Sequence, residues 1–120
     1  MLAWVSRDIF VQDIPDDITS VEQIPDEWMP SPLGVTTQAV RDTVIRQVPH
    51  ANFDDPNLGY VSLSGADIEV SLSDDVPLMS FAFHVRGDRS TADRFVSEVL
   101  ASLQLRAFDP ESDSGLFEPV

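Results

Sequence analysis

Four prolines, Pro15, Pro25, Pro30 and Pro32, fall within residues 15–34, which end in Gly34. Proline fixes φ and has no N–H to donate, so neither a continuous helix nor a central strand can run through this stretch. A loop this long in a compact domain is either functional or packed down as a belt. Ile14, Ile18, Val21, Ile24, Trp28, Met29 and Leu33 recur along it, which favours a belt on the core. The phrase Ile-Pro-Asp-acid occurs twice, at residues 14–17 and 24–27. Proline suits the first central position of a turn, and the acids suit turn or helix-start positions. The repeat therefore predicts two anchored turns, with isoleucines inward and acids in water. A hook for a basic partner and a metal trap are the alternatives. Ser20-Val-Glu-Gln23 has capping-box spacing and predicts one helical turn.

The rest of the chain is more regular. Residues 4–14 read as a strand, with Ile9 and Val11 on one face and Phe10 and Gln12 on the other. Residues 36–48 place Val40, Val44 and Val48 at four-residue spacing, with Thr36 to cap and Pro49 to stop, and predict a helix. Residues 50–59 read as a loop. Residues 60–64 and 67–72 alternate around a Gly-containing turn and predict a hairpin. Residues 78–86 form the strongest strand pattern. Residues 90–104 follow a 3.6-residue period, with Ser90 as the cap and Asp93 at the third helical position. Residues 105–108 give a short last strand, and residues 109–120 an acidic tail able to turn back at Leu116 and Phe117. The order is β-α-β-β-β-α-β. It predicts an α+β two-layer sandwich, a mostly antiparallel sheet with two helices on one face. All 120 residues fit a single globular domain, large enough to bury roughly two-thirds of its unfolded surface.

Composition excludes much chemistry. The chain has no Cys, hence no disulfide, thiolate nucleophile or Cys-ligated metal site. It has no Lys, since its seven basic residues are Arg7, Arg41, Arg46, Arg86, Arg89, Arg94 and Arg106. That removes Schiff-base chemistry and the phosphate-binding lysine of a P-loop. The formal charge is -14. Such a surface repels phosphate, so neither nucleic acid nor an anionic membrane is expected as a partner, and a basic protein is favoured. Solubility alone, or adaptation to high salt, would give the same excess of acid. No signal peptide and no run of roughly 18 apolar residues is visible, so a cytoplasmic location is expected.

Alternation also predicts an open sheet face. Val61, Leu63, Ile68, Val70, Leu72, Met79, Phe81, Phe83 and Val85 point towards the helices. Tyr60, Ser62, Glu69, Ser71, Ser80, Ala82 and His84 point away, joined by Phe10 and Gln12 if the first strand enters the sheet. A two-layer fold leaves that face to solvent. The candidate binding residues are therefore Phe10, Gln12, Tyr60, Ser62, Glu69, Ser71, Ser80 and His84. Aromatic and His side chains there offer apolar area with polar tips for a partner. A solvated face with one Glu69–His84 contact is the plain alternative. A catalytic version has His84 as base, Glu69 to orient it and Ser71 or Ser80 as nucleophile, but lacks a visible oxyanion site.

Other constellations are weaker. Acids at Asp109, Glu111 and Asp113 imitate a calcium loop, but Ser114 stands where that loop needs Gly, and the chain ends at Val120 where it needs Glu. Asp54-Asp55-Pro56 and Asp74-Asp75 are turn chemistry first. His50 and His84 are the only histidines and show no metal-ligand spacing. No phosphate-loop, dinucleotide or nucleophile-elbow motif occurs, and no cofactor or metal is implied. Arg86-Gly-Asp88 reads as a strand-to-helix turn.

The phrases 8–15 (DIFVQDIP), 52–56 (NFDDP), 80–87 (SFAFHVRG) and 105–109 (LRAFD) resemble a family of small, uncharacterised bacterial proteins. The resemblance implies no activity and no site residues. The expectation from the residues is a small acidic protein-interaction module for a more basic protein, with an immunity or antitoxin-like inhibitor as one version by analogy of size and charge. The alternatives are a small-molecule enzyme built on His84 and Glu69, and a carboxylate metal-binding domain.

Overall fold

A computed structural model describes residues 6–119. Its strands are β1 (Ser6–Gln12), β2 (Asn52–Asp55), β3 (Leu58–Leu63), β4 (Ala66–Ser71), β5 (Phe81–Gly87) and β6 (Arg106–Phe108). Two helices, α1 (Thr37–Gln47) and α2 (Arg89–Leu103), complete the α+β fold. The strands form one antiparallel sheet in the order β2-β3-β4-β5-β1-β6. Trp4 and Val5, placed in the first strand by the sequence, lie outside the described residues. No helix among those described is long and apolar enough to cross a membrane.

Alternation places the core as expected. Ile9, Val11, Val61, Ile68, Val70, Phe81, Phe83 and Val85 are buried with Val40 and Val44 of α1 and with Phe95, Val96, Val99 and Leu100 of α2. Thr36 caps α1, its hydroxyl oxygen accepting from the Ala39 N–H at 3.0 Å. Ile45 is 39% exposed, and Thr43 takes the buried place, its hydroxyl donating to the Ala39 carbonyl.

Several boundaries differ from the sequence reading. Residues 52–55, read as loop, form β2 and pair with β3. The cap of α2 is Asp88, not Ser90. Its Oδ2 accepts from both the N–H and the hydroxyl of Thr91, and these bonds lower the Asp88 pKa. Asp93, freed from capping, faces Arg7 instead. Residues 78–80 precede β5 rather than belonging to it, so Leu78 is buried while Met79 is half-buried.

The proline-rich segment is a belt, but it lies on both sides of the sheet. Ile14, Ile18 and Leu116 form a second apolar cluster with Ile24 and Phe108 packed against them. Phe108 pairs in register with Phe10, on the face away from the helices. The belt therefore covers the β6 end of the outer face. Further on, Leu33 enters the main core and its N–H donates to the Leu78 carbonyl. Met29 is 82% exposed and does not anchor it, whereas Val21, 40% exposed, lies against Gly115 and donates its N–H to the Ser114 carbonyl at 2.8 Å.

The two Ile-Pro-acid-acid phrases make two equivalent turns. Ile18 N–H donates to the Pro15 carbonyl at 3.1 Å and Trp28 N–H to the Pro25 carbonyl at 3.0 Å. Each proline is thus the first corner of its turn, not the first central residue. The acids hold the central positions and face water, where two carboxylates cost nothing in desolvation. Ile18 is buried and Trp28 meets the Phe108 ring edge-on at 6.1 Å. Arg106 clamps the first turn from β6, donating to the carbonyls of Pro15 and Ile18. Ile14→Ala is expected to cost about 2–4 kcal/mol in a urea unfolding titration, because Ile14 is 4% exposed. Ile24→Ala, only partly buried, should cost less. Equal and negligible losses would contradict the belt.

Candidate functional site

Among the described residues, none forms a second layer on the outer face of the sheet beyond the belt. The chain measures 38 × 37 × 19 Å, thin enough for one sheet and one helical layer, which pack about 10 Å apart. Strand register sets the polar residues in rows. Tyr60, Glu69, His84 and Asp8 lie opposite one another across β3, β4, β5 and β1, and Asn52 of β2 extends that row. Ser62, Asp67, Arg86 and Ser6 form the next row. Ser71, Ala82, Phe10 and Phe108 form a third.

The eight expected binding residues share this face, but the structure divides them between two hollows. Tyr60, Ser62, Glu69 and His84 line one of about 610 Å³, with His50, Asn52, Asp67 and Arg86 at its margins. Phe10, Gln12, Ser71 and Ser80 line another of about 260 Å³ towards the loop carrying Asp75. The first hollow is the larger and holds both histidines of the chain. His50 stands at its rim because its Nε2 lies 2.8 Å from the Ser62 carbonyl oxygen.

Glu69 and His84 stand opposite one another as expected, but no hydrogen bond or ion pair joins them. His84 Nδ1 bonds Asp8 Oδ1 at 2.6 Å, across the β5–β1 pair. The reason is competition within one row: His84 has a carboxylate on either side, and Asp8 takes the ring nitrogen. Glu69 is left half-buried with no hydrogen bond or ion pair among the described residues. Asp67 accepts from the Ser62 hydroxyl at 2.9 Å. Arg86 forms no ion pair among the described residues.

Chemically, an imidazole held through Nδ1 by a carboxylate presents Nε2 for proton exchange. Asp8, not Glu69, fills the orienting role. Ser71 and Ser80 line the second hollow, so the hydroxyl expected as nucleophile is not beside His84 in the first. Among the described residues no group of three or more His, Asp or Glu is placed to hold a metal ion. Asp54 and Asp55 are exposed at the end of β2, and Asp74 and Asp75 are exposed in the loop between β4 and β5. Asp55 Oδ1 accepts from the Asn57 N–H, and the Asp75 carboxylate accepts from the Ser73 hydroxyl, as turn carboxylates do.

Sequence reasoning missed a buried ionic cluster on the helix side. Arg7 continues the inward alternation of Ile9 and Val11 and is only 4% exposed. Its Nη1 donates to Asp109 Oδ2 at 2.8 Å, and its Nη2 pairs with Asp93. Arg89 lies 3.7 Å from both carboxylates. Two guanidinium and two carboxylate groups therefore tie β1, α2 and the segment after β6 together. Burial pushes the Arg7 pKa down, and Asp109 opposes that shift. The cluster faces the helical layer and takes no part in either hollow.

Comparison with protein families, with curated proteins and with solved structures finds no match to the chain.

Proposed function

We propose that the chain is a small acidic interaction module that binds a more basic protein through the uncovered part of its outer sheet face. One observation carries the reading: four strands of the sheet present a row of polar and aromatic side chains, from Tyr60 to Asp8, with no layer over them among the described residues. A face of this kind combines the exposed ring of Tyr60, 49% accessible, with carboxylates that match a basic surface. The charge of -14 steers such a partner in and holds phosphates off. Stoichiometric occlusion of a basic site, as an immunity protein performs it, is the mechanism that fits a rigid sheet face without assembled catalytic groups.

The test is affinity capture from the source cell's lysate at low salt. Wild type is compared with a Glu69→Arg, His84→Glu double variant whose melting curve shows it folded. A basic protein should be retained by wild type only, and raising the salt should release it. Capture of nothing by either protein overturns the interaction reading and shifts attention to small ligands in the His84 hollow.

A further inference from the structure

We infer that the larger hollow is a receptor for an arginine side chain of that basic partner, with the guanidinium on Glu69 and its plane over Tyr60. The inference rests on the interaction reading and names what the face would grip. Glu69 is a half-buried carboxylate with no hydrogen bond or ion pair among the described residues, because Asp8 has taken His84. A carboxylate partly stripped of water pairs more strongly with a cation than one fully solvated. Tyr60 stands directly opposite Glu69 in the β3–β4 register. Directly opposite side chains have Cβ atoms about 4.5–5.5 Å apart. A cation is held over a ring within about 6 Å of its centroid. One planar guanidinium can therefore meet the ring face and the carboxylate together.

The charges around the hollow agree. The carboxylates facing it are Asp67 and Glu69, with Asp8 behind His84, against the single guanidinium of Arg86. Arg86 stands in register with Asp67, in the neighbouring row, and forms no ion pair with Glu69, which leaves the Glu69 carboxylate open to an incoming cation. A second copy of this chain is disfavoured as the occupant, since two bodies of charge -14 repel. Arginine suits the place better than lysine, because a planar fork matches a carboxylate in two bonds and stacks on an aromatic ring.

The experiment is an amide NMR titration of the full chain with a tetra-arginine peptide at low salt. A tetra-lysine peptide serves as comparison. Saturable shifts centred on Tyr60, Glu69 and His84 are expected, with weaker binding of tetra-lysine. Glu69→Gln should weaken the arginine peptide about tenfold or more, the loss of one charge-assisted contact. Tyr60→Leu should weaken it about two- to fivefold. Amide positions elsewhere in the spectrum report that each variant is folded. Shifts confined to the belt and tail acids, or an affinity indifferent to Glu69→Gln, overturn the arginine site. Either outcome leaves the interaction reading to the capture experiment, which uses the natural partner.

Discussion

Arg7→Ala is expected to lower the unfolding free energy by about 3–5 kcal/mol, the usual cost of breaking a buried ion pair from one side. The reason lies in what stays behind. Asp109 is 2% exposed and would lose its closest cation, at 2.8 Å. Arg89 lies 3.7 Å away and is about half-exposed, so it compensates only in part. Asp93 loses its nearer cation too and keeps only Arg89, at 3.7 Å. The variant should therefore fall further than loss of the side-chain packing alone would explain. Arg7→Met, which keeps the apolar stem, should still be strongly destabilised. The double variant Arg7→Met, Asp109→Leu should lose clearly less than the sum of the two single changes, because the second change removes the stranded charge. Urea titrations of the two single variants and the double variant measure this coupling directly. Additive losses would show that Arg7 acts by packing and not by charge.

Gly87→Ala comes next, with an expected loss of about 3–5 kcal/mol from backbone strain and overpacking together. Gly87 has a φ of +106°, a conformation that side chains disfavour. A Cβ built there meets the Gly65 carbonyl oxygen at a distance far below contact, and Cα of Ala66 at 3.0 Å. Both obstacles are backbone atoms, so no rotamer change relieves them. The crowding has a structural purpose. Asp88 N–H donates to the Gly65 carbonyl at 2.7 Å, which docks the β3–β4 turn against the turn leading into α2. By contrast Gly34→Ala has open space around its Cβ, and its φ of +80° makes strain the main cost. A thermal melt of Gly87→Ala within a degree or two of wild type would contradict the close approach.

The parts of the fold that follow from period alone were legible in the sequence. Phe81, Phe83 and Val85, or Val40 and Val44, must share a face whatever they touch. The two-layer arrangement and its uncovered face follow from that. β2 was missed because Asn52, Asp54 and Asp55 are poor strand formers, and only Phe53 supplies an apolar anchor; it packs against Gly59, where a Cβ would stand in its ring. The signal was local: Pro56 and Asn57 make a two-residue turn between Asp55 and Leu58. Asp88 displaced Ser90 as the cap because both are capping types, and Gly87 ends the strand one residue before Asp88.

The site was legible in membership but not in pairing. A short hairpin fixes the register of Tyr60 and Glu69, and alternation along β5 puts His84 on the same face. Asp8 was not joined to His84, since residues 76 apart carry no mutual register in sequence. The same long range hides Asp109 from Arg7, 102 residues away. Arg7 itself lay in view, two residues before Ile9 on the inward face. A charged residue in that position asks for a buried partner, and the sequence names too many acids to choose one. The covering of the β6 end by the belt depends on which face the loop crosses, which local turn chemistry does not determine.

The most direct test of the central claim is where a captured partner binds. Wild type, the Glu69→Arg, His84→Glu variant and an Asp16→Asn, Asp17→Asn belt variant would be used side by side at low salt. The interaction reading predicts that wild type and the belt variant retain the same basic protein and that the face variant does not. Retention by the face variant, with loss in the belt variant, would move the binding surface from the sheet to the belt and contradict the account.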